Sequence, residues 1–553
     1  MPYLKNECTP EMQQAVQAVE DLSDKCYQDM ALLRQPRNVA TWALLTAMAT
    51  ELETFLQKYG ADSARHRTAI INLDRYICGF HFIALHGKPA SRLAHNYNYH
   101  GRLKLDALFV HNVSRRYTNF LNVFPLWHKN HEAMDLMPNG AVRFNIPNDS
   151  TRQRQVIAYQ QIHRPAEQAR KGRTRIAQTP EIQRLFSDLF KKARPGSLQK
   201  KFHYEPSREL IEALRYEYQE RLDTNFRHPD NFQLNGYTLA EFKAVYVALL
   251  ILCAIHEHIC YPWEQEGNPI PESSLIMVKT RSEWVNKLHN ISGVPLDTCR
   301  AVVEDLTLRP EKTSFTSLCI TPFVPLGTHD DVLAVAPQFP LASAADENAL
   351  RLFSYTYPDL FSAQNTQKEE VMRELLREAN PGYGIDFSIS LPDKSAEIDM
   401  LLEDQARSTV VLAELKWLRK PYKPYERLAR EKDIAKGVKQ LERIREYGRE
   451  HPDFLLRQGK LSRSLDAYQH VHHVLLTRDY WHWVEPNDTI AIVDFEEFLP
   501  RLRKSTSLAD MMTEILRYSW LPIENQDFHV VYNATWVNGA SIESPLFMDG
   551  KPK

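Results

Sequence analysis

Apolar residues recur at three- and four-residue spacing through residues 11–31 and 40–58, the mark of amphipathic helices, so residues 1–145 are expected to be helical. The pattern lapses over 146–206, which is basic, Gln-rich and broken by Pro165, Pro180, Pro195 and Pro206. Helical spacing returns over 208–260, and the last stretch, 244–255, is apolar on every side and is expected to lie in a core. Two short runs, 317–324 and 331–336, read as strands. From 366 the pattern changes again. Residues 366–379 predict a helix stopped by Asn380-Pro381-Gly382, because Pro cannot continue a helix and Gly accepts the left-handed backbone of a helix end. Runs at 385–391, 397–403 and 409–417 predict strands joined by polar turns at 392–396 and 404–408. A charged helix over 425–449, strands over 470–477 and 489–494, and a helix after Glu496 complete the series. The last fifty residues are mixed in pattern and suggest no function.

These elements imply a multidomain chain with a mostly α N-terminal region and an α/β unit toward the C-terminus, a central mixed sheet flanked by helices. The expected divisions are a helical region (1–145), a basic segment (146–206), a helical and mixed middle region (207–344), the α/β unit (345–505) and an extension (506–553). A length of 553 residues exceeds one ordinary core and suggests about two to four domains. With 43% hydrophobic and 25% charged residues the chain has the composition of a folded protein, which excludes the disordered class. The net charge of -2 excludes a uniformly basic surface, so any contact with a polyanion must be a local patch. Cys8, Cys26, Cys78, Cys253, Cys260, Cys299 and Cys319 form no paired framework, which fits a reducing compartment. The first eight residues, Met-Pro-Tyr-Leu-Lys-Asn-Glu-Cys, lack the apolar stretch of a signal peptide. The run 244–255 falls short of the roughly 20 residues that cross a bilayer. A cytoplasmic location is the expectation.

The candidate chemistry lies in the third strand of the α/β unit, Val410-Val411-Leu412-Ala413-Glu414-Leu415-Lys416-Trp417. Side chains alternate across a strand, so Glu414 and Lys416 share one face while Val411, Ala413, Leu415 and Trp417 share the other. An acid and a base ending an otherwise apolar strand are costly to bury without partners. In the preceding strand, Glu397-Ile398-Asp399-Met400-Leu401, the same alternation puts Glu397 and Asp399 on one face and Ile398 and Met400 on the other. A hairpin between the two strands would bring Asp399 beside Glu414. Two carboxylates that close repel unless a cation lies between them, and oxygen ligands suit Mg²⁺ or Mn²⁺.

An Asp, a spacer of fourteen residues, and then Glu414-Leu415-Lys416 on the next strand resembles the signature of the PD-(D/E)XK nuclease superfamily. The resemblance covers residues 366–500. It implies a restriction-endonuclease-like fold and a metal held by Asp399 and Glu414 with the Leu415 carbonyl. In that scheme Lys416 orients the attacking water and stabilises charge on the phosphate. The helix Lys368-Glu369-Glu370-Val371-Met372-Arg373 resembles the first helix of the Holliday-junction-resolvase branch, where a Glu faces the metal; register favours Glu369, with Glu370 second. The later Gly437-Val438-Lys439-Gln440-Leu441 is similar to a helix in which a Gln is often found, implying that Gln440 positions a water or phosphate. The dipeptide Pro392-Asp393 falls in a predicted turn and is read as turn chemistry, so Ile398 stands where the family name has Pro. The implied activity is phosphodiester hydrolysis with Mg²⁺ or Mn²⁺, on DNA by analogy with the superfamily. A large helical region fused to such a unit also resembles bacterial defence effectors directed at phage or foreign DNA. The rivals are an effector that cleaves RNA such as tRNA, and a nucleic-acid-binding module with a nuclease-like fold. A homo-oligomer or a protein partner is compatible with the sequence.

Other signals weigh less. His256 and Cys260 share a helix face with Cys253 while His258 points away, so a buried helix end accounts for them better than a zinc site. Arg221 and His228 match the spacing of metal-independent HEPN-type ribonucleases, a match expected by chance in a chain this rich in Arg and His. His95 and His100 lie in a polar stretch without a nameable partner, and no phosphate-binding Gly-x4-Gly-Lys-Ser/Thr loop occurs. Between Arg152 and Lys201 stand eight Arg and five Lys against Glu167, Glu181 and Asp188, with Tyr159, Phe186, Phe190 and Phe202 interspersed. That balance suits either phosphate contacts or a solvated connector. From Arg419 to Arg445, beside the proposed site, ten Lys or Arg face four acids, which favours phosphate binding.

Overall fold

The structure is a computed structural model. It describes the chain apart from residues 1–3, 60–77, 92–98, 131, 139, 146–178, 193, 196–201, 226–229, 266–271, 311–316, 328–330, 343–344, 419–423, 479–489, 518–521, 525 and 550–553. The protein is a mixed α/β molecule in which helices predominate and four separate sheets occur among the described residues.

Residues near the N-terminus fold as expected, with helices Pro10–Asp24, Arg37–Tyr59, Cys78–His86 and Arg102–His128. The first starts on a Thr9 side chain that accepts the Met12 N–H, with Pro10 at the first helical position, where its missing N–H costs nothing. Trp42, Phe80, Phe120 and Trp127 fill the core between these helices. The helical expectation for residues 1–145 fails at its end, where Ala133–Leu136 and Val142–Asn145 are strands that form an antiparallel pair. Their sheet is completed from the far end of the chain. The hairpin Phe528–Val537 and Ala540–Asp549 adds alongside, with Ile542 paired to Val142 in parallel. Arg143 donates to Glu543 at 2.6 Å, and Asn119 donates to Thr535 at 2.9 Å. Val537, Ala540 and Ile542 join the N-terminal core.

In the middle region the helix Leu239–Gln265 is the axis of a second core. Its stretch Leu239–Cys260 is long and apolar enough to cross a membrane, which corrects the shorter sequence estimate; 83% of its apolar window is buried within the protein. Part of the basic segment also belongs here. Pro180–Lys192 is an amphipathic helix whose Ile182, Phe186 and Leu189, at four- and three-residue spacing, are buried, with Phe186 stacked 4.0 Å from His258. Phe186 is therefore a packing residue and not part of a nucleic-acid surface. Residues 152–178 of the cationic stretch, including Arg170, Lys171 and Arg173, lie outside the described residues. The strand expected over 317–324 is mostly a turn: Ile320 and Thr321 N–H donate back to the Ser317 carbonyl, and only Val324–Pro325 pairs as strand. Helices Ala345–Thr356 and Pro358–Ser362, placed by sequence at the head of the α/β unit, pack Leu352, Phe353 and Phe361 against the middle core instead.

The C-terminal sheet has its own two cores. Helix α1 (Asn365–Ala379) leads into β1 (Gly384–Ser390), β2 (Glu397–Asp404) and β3 (Thr409–Trp417), an antiparallel meander. Helix α2 (Pro424–Glu450) crosses over to β4 (His470–Arg478), which pairs with β3 in parallel, and β5 (Ile490–Asp494) pairs with β4 in parallel. Helices α3 (Phe495–Lys504) and α4 (Leu508–Leu516) follow. The spatial order is β5-β4-β3-β2-β1. Ile434, Leu441 and Ile444 of α2 cover one face of the sheet; Met372 and Leu376 of α1, Phe498 of α3 and Met511, Met512 and Ile515 of α4 cover the other. Both faces of β3 are buried, so it reads as an unbroken apolar run until Glu414.

Because α4 supplies Leu508, Met511, Met512 and Ile515 to the core of the sheet, a fragment spanning residues 365–517 is expected to unfold cooperatively by itself. A fragment ending at 505 loses four buried apolar side chains, each contributing about 1.5–3 kcal/mol, and should melt far lower or not fold. Circular dichroism melts of the two fragments decide this; equal melting temperatures would show that α4 is dispensable.

Candidate active site

At the C-terminal end of β3 the alternation of faces carries charge into the interior. Val410 and Leu412 point under α2, and Glu414 continues that row. Gly437 of α2 lies directly above it. A Cβ at Gly437 would stand 2.8 Å from Leu475 Cδ1 and 3.6 Å from Glu414 Cγ, so the glycine spares the Leu475 side chain a displacement where the helix covers the carboxylate. Glu414 is fully buried, and its Oε2 has no hydrogen-bond partner among the described residues. Its Oε1 accepts from the Lys416 ammonium, which is partly exposed at the end of the strand.

β2 and β3 form the expected hairpin, paired from Thr409–Asp404 to Ala413–Met400. One step further the register puts Asp399 opposite Glu414, and there the ladder stops: Asp399 Oδ2 accepts the Leu415 N–H at 2.8 Å. A side-chain carboxylate thus takes the place of a backbone carbonyl. The strict alternation expected along β2 fails at this point. Met400 packs into the core beneath α1, whereas Ile398, two residues away, packs beneath α2. The cause lies in the neighbouring strand, where Ser388, which faces Asp399 in the register, has φ 55° and the pairing skips from Phe387–Met400 to Ile389–Ile398. This local twist sets Asp399 at the boundary between the two faces.

Helix α1 brings the third carboxylate. Asp399 and Lys416 both act electrostatically on Glu369. Glu370 points elsewhere, bound by Arg377 at 2.8 Å and Arg373 at 3.2 Å, and the Arg377 bond holds its carboxyl below the usual range. Gln440 reaches the beginning of β2, its Nε2 3.4 Å from the Glu397 carbonyl. Asp393 is distant in role: it is exposed and accepts from the Ser395 N–H at 3.0 Å and the Ser395 hydroxyl at 2.7 Å, closing the turn between β1 and β2.

Burial, with the nearby Asp399 charge, pushes Glu414 up to about 8 against the pull of Lys416. Burial likewise raises Asp399, opposed by the Leu415 N–H, Lys416 and Arg373. Burial and the Asp399 charge raise Glu369. Burial alone would lower Lys416, but Glu414, Asp399 and Glu369 outweigh it and hold the ammonium charged. Among the described residues no three acidic, His or Cys side chains already form a ligand cluster. At this site Lys416 holds one oxygen of Glu414 and the Leu415 N–H holds one of Asp399. The buried Glu414 Oε2 has no partner among the described residues, and carboxylate oxygens such as those of Glu414, Asp399 and Glu369 are of the donor type that suits a hard divalent cation.

Arg373, Glu397 and Gly437 belong to this neighbourhood although the sequence suggested no role for them. The four-residue spacing of Glu369 and Arg373 on a helix was the available signal. His256 proves to be a packing residue, its two ring nitrogens engaged by Tyr204 at 3.0 Å and the Ser274 carbonyl at 2.8 Å, with Cys260 Sγ beside it. Burial lowers its pKa to about 4. His228, His95 and the Arg221 side chain lie outside the described residues.

The buried carboxylate carries a stability consequence. Unfolded, Glu414 ionises in the ordinary glutamate range; folded, only near 8. Between those values the folded state holds the extra proton, so this stabilisation is complete below the unfolded pKa and is lost as pH rises through about 8. In chelator, the melting temperature should therefore fall as pH climbs from about 5 to about 9, and Glu414→Gln should flatten much of that fall. Parallel declines in parent and variant would remove Glu414 as the source.

Comparison of the chain with protein-family models, with curated proteins and with solved structures gives no match in any of the three.

Proposed function

We propose that the chain is a metal-dependent nuclease of the PD-(D/E)XK type that hydrolyses phosphodiester bonds, with DNA as the substrate. The observation that carries this reading is the pair Asp399 and Glu414, buried on adjacent strands beside Lys416. Support comes from the element order, a helix, a three-stranded meander, a helix and a parallel strand, which is the order the resemblance implies for a restriction-endonuclease-like fold. Further support comes from the outer face of α2, where Lys432, Lys436, Lys439 and Arg443 are all exposed at four-, three- and four-residue spacing. They make one cationic row alongside the helix that covers Glu414, suited to phosphate contacts.

In this reading Asp399, Glu414, Glu369 and the Leu415 carbonyl hold Mg²⁺ or Mn²⁺, which supplies Lewis acidity toward a phosphoryl oxygen and lowers the pKa of a water. Burial keeps the carboxylates out of bulk water, and in that lower-dielectric surrounding their ionised form acts more strongly on a cation. Lys416, on the exposed rim, directs its ammonium to a phosphoryl oxygen and stabilises the charge that grows there. Gln440 orients a water or phosphate from the α2 side. A role in bacterial defence against foreign DNA is consistent with the large helical region, and such a role rests on that resemblance alone.

Asp399→Ala and Glu414→Ala should each cut supercoiled plasmid at least about a hundredfold more slowly, with little rescue by added metal. Lys416→Ala should slow cutting similarly while retaining bound Mn²⁺. Asp393→Ala is the control and should cut like the parent. Active Asp399→Ala protein would exclude this site, and cleavage of RNA but not plasmid in parallel digests would replace DNA by RNA. Separately, plasmid-fragment binding measured in chelator should weaken as salt rises, and reversing Lys432, Lys436, Lys439 and Arg443 to Glu should reduce both affinity and salt slope. An unchanged slope would leave that row as ordinary solvated surface.

A further inference from the structure

Arg373 has more burial and less bonding than a surface ion pair explains. Its side chain is only 9% exposed, although it lies one helical turn from Glu369 and next to the surface acid Glu370. Glu370 does not need it, because Arg377 already binds that carboxylate at 2.8 Å. Toward Glu369 the guanidinium makes a contact of 3.7 Å, too long for a hydrogen bond, and its buried Nε has no partner among the described residues. Withdrawing a guanidinium from water costs several kcal/mol unless nearby charge compensates it. Glu370, at 3.2 Å, supplies part of the compensating charge, and the site supplies the rest, since Arg373 also acts on both Glu369 and Asp399. Once all three are ionised, Glu369, Asp399 and Glu414 stand against Lys416 and Arg373, three negative charges to two positive. That imbalance leaves room for a bound cation without collapse of the acid cluster.

Resting on the nuclease reading, we infer that Arg373 is a positioning residue that holds the Glu369 carboxylate turned into the site, so that Glu369 serves as an oxygen donor to the divalent cation. The long contact and the unfilled Nε are an unfinished network, one that can tighten when Glu369 takes up its ligand role. Arg373 touches no reacting group and acts through Glu369. Outer partners of this kind commonly change metal affinity by about 10–100-fold when removed.

The sign of the effect separates this role from simple electrostatics. If Arg373 were only a nearby positive charge, Arg373→Met would tighten binding of a cation by removing repulsion. If it positions Glu369, the same variant must weaken binding. Mn²⁺ affinity of the full chain, read from the free Mn²⁺ signal in electron paramagnetic resonance, is measured for the parent, Arg373→Met, Glu369→Gln and the double variant. Arg373→Met is expected to weaken Mn²⁺ binding by about tenfold, with the double variant no weaker than Glu369→Gln alone. Arg373→Lys, which keeps the charge but not the planar fork, should recover part of the loss. Tighter binding in Arg373→Met, or losses that add in the double variant, overturns the inference. If Arg373→Met fails to fold by circular dichroism, Arg373→Lys against Glu369→Gln supplies the same cycle with the charge retained. A parent that binds Mn²⁺ with this non-additivity yet cuts no nucleic acid defeats the nuclease reading and leaves the positioning role intact. A parent that binds no Mn²⁺ overturns both.

Discussion

A carboxylate with no water around it is the constraint on which the C-terminal unit depends. Glu414 lies at the meeting of β3, β4 and α2, under a helix whose Gly437 leaves the Leu475 side chain room between helix and sheet. Everything adjacent bears on the cost of ionising that buried carboxyl. Lys416 binds one oxygen, and the hairpin opens so that Asp399 can cap a backbone amide beside it. α1 brings Glu369 and Arg373 to the same end of the sheet. The apolar packing on the two faces is what makes this tolerable, since a rigid, two-sided core fixes acids that would otherwise move apart.

The site also shows why a meander followed by a parallel crossover suits buried charge. Antiparallel pairing of β2 with β3 aligns two acids directly opposite each other, while the parallel β3–β4 edge stays fully bonded and holds β3 straight. Distortion is then confined to one side. It falls at Asp399 and at Ser388 across from it, where a positive φ is the local cost of turning one side chain out of the alternation.

Much of this was legible in the sequence, and the boundary between what was and was not follows range. β3 was placed at its observed ends because a run of β-branched and apolar residues bounded by turns has few other solutions. The hairpin, and with it Asp399 beside Glu414, was offered by the alternation of faces in two runs joined by a short polar turn. The twist at Asp399 was not legible, since it is set by Ser388 on a different strand. Arg373 looked like any helix-surface cation until the packing of α1 buried it. Phe186 was read with its basic neighbours, although its spacing to Ile182 and Leu189 was that of a core stripe. The segment near Ser317 has strand-like composition, but buried hydroxyl and carbonyl bonds hold it as a turn. Pairing between the last hairpin and Val142 could not be seen at all, because no local pattern specifies a partner hundreds of residues away.

That remote pairing has a consequence for how the molecule is made. Val142 leaves the ribosome long before Ile542, its neighbour in the finished sheet. During synthesis the edge of the strand Val142–Asn145 stays open while the middle core and the entire C-terminal sheet emerge and can close on themselves. The unit that holds Val142 is translated before the C-terminal sheet and sealed after it. An unpaired edge of that kind invites wrong partners, so the time between the two events is the period in which a nascent chain is most exposed to aggregation or to capture by a chaperone.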